Sequence, residues 1–140
     1  MRNLLPLAFA FLLASLSPVL AQNFKPVDDP EKFAADVVQT LANGDIDEAA
    51  KTVIDTVGQP GALSSMQTAL QIFKDKKFDF SKKVIDEDLN GALRKIIYYA
   101  YVDKLGFVYF RFNFKMSSKG WVLAHFLFKT ETNELLPKDF

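Results

Sequence analysis

The chain has 140 residues, with 17 basic and 17 acidic side chains, a single histidine and no cysteine. A balanced charge lacks the electrostatic footprint of a nucleic-acid-binding protein or of one held on an anionic membrane surface. Without thiols there can be no disulfide, no cysteine nucleophile, no lipid attached through cysteine and no thiolate-held metal.

In chain order, Met1-Arg2-Asn3 is a short basic opening. Leu4–Leu16 is apolar apart from Pro6 and Ser15, and Ser17-Pro18-Val19-Leu20-Ala21 closes the stretch with small residues. This is the pattern of a signal peptide over 1–21, with Val19 and Ala21 in the small-residue positions and cleavage expected after Ala21. It places the protein in the periplasm or in the medium. A comfortable membrane span needs about 20 apolar residues; the leader is shorter and broken by Pro6 and Pro18. No later stretch is a second candidate, so no membrane span is expected after cleavage. Residues 22–140 are read as one domain. Small exported domains often depend on disulfides, so this one must rely on its core.

After an extended entry over 22–28, Asp29-Pro30-Glu31 predicts a helix start: an N-cap acid, proline at the first helical position, and an acid at the positive dipole end. Phe33, Val37 and Leu41, flanked by Ala34 and Val38, form one apolar stripe. Asn43-Gly44 ends that helix. Asp45 and Glu48 predict a capping box for a second helix, which buries Ile46, Ala49, Ala50, Val53 and Val57. Gly58-Gln59-Pro60-Gly61 breaks it. A third helix over about 62–74 presents Leu63, Met66, Leu70 and Phe73. The lysines at 74, 76, 77, 82 and 83 suit a helix C-terminus followed by a charged edge strand.

From Phe78 the period becomes two, giving strands over 78–87, 92–102, 107–116 and 121–131. Asp103–Gly106 and Ser117–Gly120 both carry glycine fourth, which predicts three-residue loops with a glycine bulge. Asp103 would then face Phe107, and Ser117 would face Trp121. Across the last three strands this gives an inner face of Ile96, Tyr98, Ala100, Val102, Val108, Phe110, Phe112, Phe114, Met116, Val122, Ala124, Phe126 and Phe128. The outer face is Lys95, Ile97, Tyr99, Tyr101, Tyr109, Arg111, Asn113, Lys115, Trp121, Leu123, His125 and Leu127. A one-residue slip would mix the two sets. For the first strand, Asn90-Gly91 leaves the parity open.

The paired helices around Asn43-Gly44-Asp45, the hairpin from Tyr109-Phe110-Arg111-Phe112 to Ser117, and the step Gly120-Trp121-Val122-Leu123 carry a resemblance. Three helices followed by a curved antiparallel meander look like the nuclear transport factor 2-like superfamily, a cystatin-like α+β fold with many small exported bacterial members. The likeness covers roughly 30–132. It implies a cone between helices and sheet that can hold a small molecule, and pairing of two copies through the outer sheet face. Enzymatic members place an acid, histidine or tyrosine in the cone. Here Tyr98 is the polar group expected on the central strands, with no Asp or Glu beside it, so isomerase or cyclase chemistry ranks third.

Among single residues, His125 stands alone, which argues against a zinc site or a triad built on it; neither a catalytic residue nor a metal or cofactor is assigned. Arg111, expected across from Tyr99 and near Tyr101 and Tyr109, reads as an arginine stacked on tyrosines more readily than as an anion clamp. The aromatics around Tyr109 are superficially similar to an RNA-recognition strand, but the helix order and the neutral charge oppose that. Tyr99, Tyr101, Tyr109, Arg111, Trp121, Leu123, His125 and Leu127 are expected to form an interface, because tyrosine, tryptophan and arginine are enriched at such surfaces. The expected function is a periplasmic protein-interaction or binding module, acting as a homodimer or on another periplasmic protein. The alternative is a carrier of a small apolar ligand held near Tyr98.

Overall fold

The computed structural model describes residues 23–130. The leader expected over 1–21 and the last residue of the fourth predicted strand lie outside them. Three α-helices, α1 (Pro30–Ala42), α2 (Ile46–Val57) and α3 (Leu63–Leu70), precede four strands, β1 (Phe78–Leu89), β2 (Leu93–Val102), β3 (Gly106–Ser117) and β4 (Gly120–Lys129). The strands form one antiparallel meander in the order β1-β2-β3-β4. The protein is therefore α+β, with the helices before the sheet, and no helix among the described residues is long and apolar enough to cross a membrane.

Local chemistry explains the helix boundaries. The Asp29 carboxylate accepts hydrogen bonds from the backbone N–H groups of Glu31 and Lys32 at 3.0 and 3.1 Å, and Pro30 opens α1. Asp45 stands at the N-cap of α2 but makes no side-chain cap bond, so the capping box did not form. Its backbone there is not the extended conformation that aims a cap side chain at the first turn (φ −84°, ψ 65°). The third predicted helix is shorter than its pattern, α3 being flanked by single 3₁₀ turns at Pro60–Ala62 and Gln71–Phe73. That second turn swings Phe73 fully into the core.

The helices bury Ala34, Val37, Val38, Leu41, Ala49, Ala50, Val53 and Leu70 against Ile96, Ala100, Val102, Val108, Phe110, Phe112 and Phe114 of the sheet. Phenylalanine rings interlock across this layer. Phe33 meets Phe112 and Phe114 edge-on, with centroids 6.4 and 6.0 Å apart. Phe73 sits 5.6 Å from Phe110 and 5.1 Å from Phe128. Such geometry adds about 0.5–1.5 kcal/mol per pair beyond the area buried.

The registers preserve the expected parity from β2 to β3 but not the expected partners. Val102 pairs with Gly106, so Tyr99 faces Tyr109, and Arg111 faces Ile97 rather than Tyr99. Lys104 takes a left-handed φ of 64° in this turn and Gly106 one of 83°, so the three-residue loop keeps its length but sits one residue nearer the N-terminus than expected. Asn90 and Gly91 have φ of 55° and 69°, and Ala92 N–H closes on the Leu89 carbonyl at 3.0 Å. Two positive φ values define a type I′ turn, which Asn-Gly favours.

The β3–β4 hairpin departs further. Ser117 pairs with Gly120 and Phe114 with Leu123, but Asn113 pairs with His125. Ala124 is thus left unpaired, a β-bulge that reverses which residues of β4 face the helices. Leu123 is fully buried in the core and Trp121 is half-buried against it, so both lie on the helix side rather than the outer face. Val122 moves the other way, paired with outward Lys115, and Met116, expected inside, is exposed. The N-terminal entry adds a bridge along β4: Val27 N–H donates to the Trp121 carbonyl at 2.7 Å, and Lys25 N–H to that of Thr56 at 3.2 Å.

Candidate functional site

The cross-strand pairs arrange the outer face in rows. Phe80, Tyr101 and Phe107 form the first, and Lys82, Tyr99, Tyr109 and Lys129 the second. Ile85, Ile97, Arg111 and Leu127 form the third, and Glu87, Lys95, Asn113 and His125 the fourth. Leu89, Leu93, Lys115 and Val122 close the face.

The aromatic rows form one cluster. Phe80 contacts Tyr99 at 5.4 Å and Phe107 at 6.5 Å between ring centroids. Tyr99 lies 6.2 Å from Tyr109 with their rings stacked, and Tyr101 lies 5.2 Å from Phe107. Phe80, Phe107 and Tyr101 nevertheless leave 46, 48 and 38% of their surface in water. Apolar clusters of several hundred Å² on a soluble protein mark interaction sites. Phe80 and Phe107 were not among the residues singled out from the sequence. Phe107 was legible from its odd parity on β3, but Phe80 was not, because the register shift between Lys83 and Ile85 inverts the parity of β1 beyond the part nearest the Asn-Gly turn.

The opposite end of the face is apolar too. Leu89 and Leu93 are 57 and 43% exposed, and a groove of about 230 Å³ runs between Leu89, Leu93, Lys95, Asn113 and Lys115. Between the two ends the character changes. Arg111 and Asn113 are half-buried, and among the described residues Arg111 Nε and Asn113 Oδ1 are buried with no hydrogen-bond partner. A buried polar group left unpaired costs about 1–3 kcal/mol, so these atoms call for an explanation. His125 is exposed on the same face, opposite Asn113, as its register predicted.

A second polar group of residues lies on the helix side, at the open end of the sheet. Arg94 places Nε and one terminal nitrogen 2.8 Å from the two oxygens of Asp86. Lys83 bonds Asp86 at 3.1 Å and also Glu31 at the start of α1. Tyr98 is half-buried next to this group. The sequence placed Tyr98 correctly on the inner side but missed the carboxylates near it. Asp86 and Arg94 reach that side through the parity they share with Ile96, and Lys83 reaches it because a register shift between Lys83 and Ile85 sets it beside Tyr98. Hydrogen bonds from Arg94 and then Lys83 hold the Asp86 carboxyl below its ordinary pKa. Burial, the largest cause, raises that of the Tyr98 phenol. General acid–base catalysis wants a group titrating near the working pH, and both shifts lead away from neutrality. The cluster is a clasp between α1 and the sheet.

Two other concavities are shallow. A groove of about 420 Å³ between the N-terminal entry, α1 and α2 is lined by acids and lysines together, including Asp29, Lys32, Asp36 and Lys51. An apolar one of about 320 Å³ lies between α3 and β4, at Met66, Ala69, Phe126 and Phe128. Among the described residues, no three His, Asp or Glu side chains stand so as to hold a metal ion.

No protein-family model matches the chain, and no curated protein is significantly similar to it.

Proposed function

We propose that this is an exported binding module of the bacterial periplasm, with the nuclear transport factor 2-like architecture, that works as a homodimer through the outer face of its sheet. One observation carries the reading: five aromatic rings, of Phe80, Tyr99, Tyr101, Phe107 and Tyr109, touch in one cluster, while Phe80, Tyr101 and Phe107 leave much of their surface in water. Tyrosine and phenylalanine at that density form the anchor of a protein contact, since large rigid rings gain contact area at little entropic cost. Arg111, His125 and Leu127 share the face, whereas Leu123 and Trp121 support it from beneath.

The carrier reading has less to stand on. The phenylalanines that would line a cavity between helices and sheet fill the layer ring against ring. An apolar guest would be left with the groove at Met66 and Phe128. Catalysis has still less, because the ionised groups near Tyr98 neutralise one another.

Sedimentation equilibrium of the protein as processed by its host tests the reading. A dimer at micromolar concentration is expected; a monomer at high micromolar concentration overturns it. Native mass spectrometry of the same sample reports any retained apolar molecule, whose presence would favour the carrier.

A further inference from the structure

Two unpaired polar atoms stand at the centre of the outer face. Along β3, Arg111 offers a donor without an acceptor, and Asn113, two residues on and on the same side, offers an acceptor without a donor. We infer that, in the dimer proposed above, two β3 strands cross antiparallel about a two-fold axis at the level of Phe112, so that Arg111 Nε–H of each copy donates to Asn113 Oδ1 of the other.

The inference rests on the dimer reading and adds its geometry. A two-fold axis lying between the faces and perpendicular to the strands exchanges positions 111 and 113, and each orphan atom meets its complement twice. An axis parallel to the strands would instead set Arg111 against Arg111, which juxtaposes like charges in a drying contact. Packed sheets stand about 10 Å apart, a gap that an extended arginine and an asparagine span together. Both side chains are only half-buried, so a rotamer change lifts the two atoms from between their neighbours to the face, and such changes are common at interfaces.

The same rotation carries the aromatic end of one copy onto the leucine end of the other. Tyr109 of one chain comes opposite Lys115 of the second, beside the groove that Leu89 and Leu93 border. That groove, at about 230 Å³, falls below the roughly 300 Å³ at which small-molecule sites begin. It suits a single tyrosine ring, with the lysine ammonium over the ring face. The row of Tyr99 and Tyr109 thus meets the row of Leu93 and Lys115, the row of Phe107 falls at the level of Ser117 and the Asn90-Gly91 turn, and the polar centre has its own complement.

Two measurements on the protein, purified as its host processes it, decide this. The first is a double-mutant cycle on dimerisation, read by sedimentation equilibrium, with Arg111→Leu, Asn113→Leu and the pair. Each single substitution removes the bond at both symmetric positions, so dissociation should strengthen about a hundredfold. The double variant should be no weaker than either single one within about threefold. The second uses the absence of native cysteine: a short bismaleimide should join two copies of Tyr109→Cys/Lys115→Cys and of neither single variant. A dimer whose single substitutions are additive, or whose Tyr109→Cys variant alone cross-links, overturns this geometry and leaves the dimer standing. A monomeric wild-type protein removes both.

Discussion

The two faces of one sheet use the same residue types to opposite ends. On the helix side, Phe110, Phe112 and Phe114 are closed off by α1 and by the turn that carries Phe73, and every ring has another ring for a neighbour. On the other side, Tyr99, Tyr101, Phe107 and Tyr109 also touch in a cluster, but no helix among the described elements caps them. Aromatic content therefore says little by itself about core or surface. What separates the faces is whether the burial is completed within the chain, and on the outer face Phe80, Tyr101 and Phe107 remain exposed.

If that contrast is right, damage to the inner face should appear as lost stability and damage to the outer face as lost association. Phe112→Ala removes a fully buried ring that packs on Phe33 and Phe126. It should cost about 3–5 kcal/mol, read from the urea midpoint at constant slope. A loss under 1 kcal/mol would mean that the interlocked layer is not the core.

Gly58 tests the support behind the inner layer. It ends α2 in the left-handed conformation at φ 73°, and a Cβ there would stand 2.6 Å from the Asn23 carbonyl oxygen. Gly58→Ala should cost about 1–2 kcal/mol for the conformation alone. It should also loosen the N-terminal entry, seen as faster hydrogen exchange at the Lys25 and Val27 amides.

The clasp at the edge of the inner face should be smaller and pH-dependent. A carboxyl whose pKa is lowered on folding contributes stability that is fully present above its unfolded value, about 3.9, and is lost as the pH falls through the folded value. Asp86 belongs to this kind. Asp86→Asn should therefore cost about 1 kcal/mol at neutral pH and progressively less as the pH falls through the lowered, folded value. Unfolding at pH 7 and at pH 2 measures it, and equal losses at both would deny the ionic origin.

The effect of the outer rings on stability should also be modest. Tyr101→Ser with Phe107→Ser removes the edge-on pair these rings form and should cost the single chain about 1 kcal/mol while weakening dimerisation. A large loss of stability with unchanged association would collapse the distinction between the faces.

The comparison of sequence with structure follows the range of each signal. Tyr98 inside and Tyr99, Tyr101, Tyr109 and Arg111 outside were legible, because alternation along an unbulged strand is a local property that register merely preserves. Leu123 and Trp121 were misplaced for the converse reason. One unpaired residue, Ala124, inverts the parity of β4 on its turn side, and nothing in Gly120-Trp121-Val122-Leu123 announces it. The Asp86–Arg94–Lys83–Glu31 clasp was illegible as well, since it joins residues from α1, β1 and β2 and depends on a second irregularity in β1.

By itself, then, the amino-acid order determined the element types, the helix-before-sheet arrangement, the Asn-Gly turn and the two chemical characters of the central strands. All of these depend on φ/ψ preference and periodicity within a few residues. Only the tertiary structure decided the bulges, the partners across each hairpin, the side on which β4 places its tryptophan, and the two unpaired atoms on β3. Those depend on how a curved sheet fits its neighbouring strands and three helices at once, a requirement that no single segment carries.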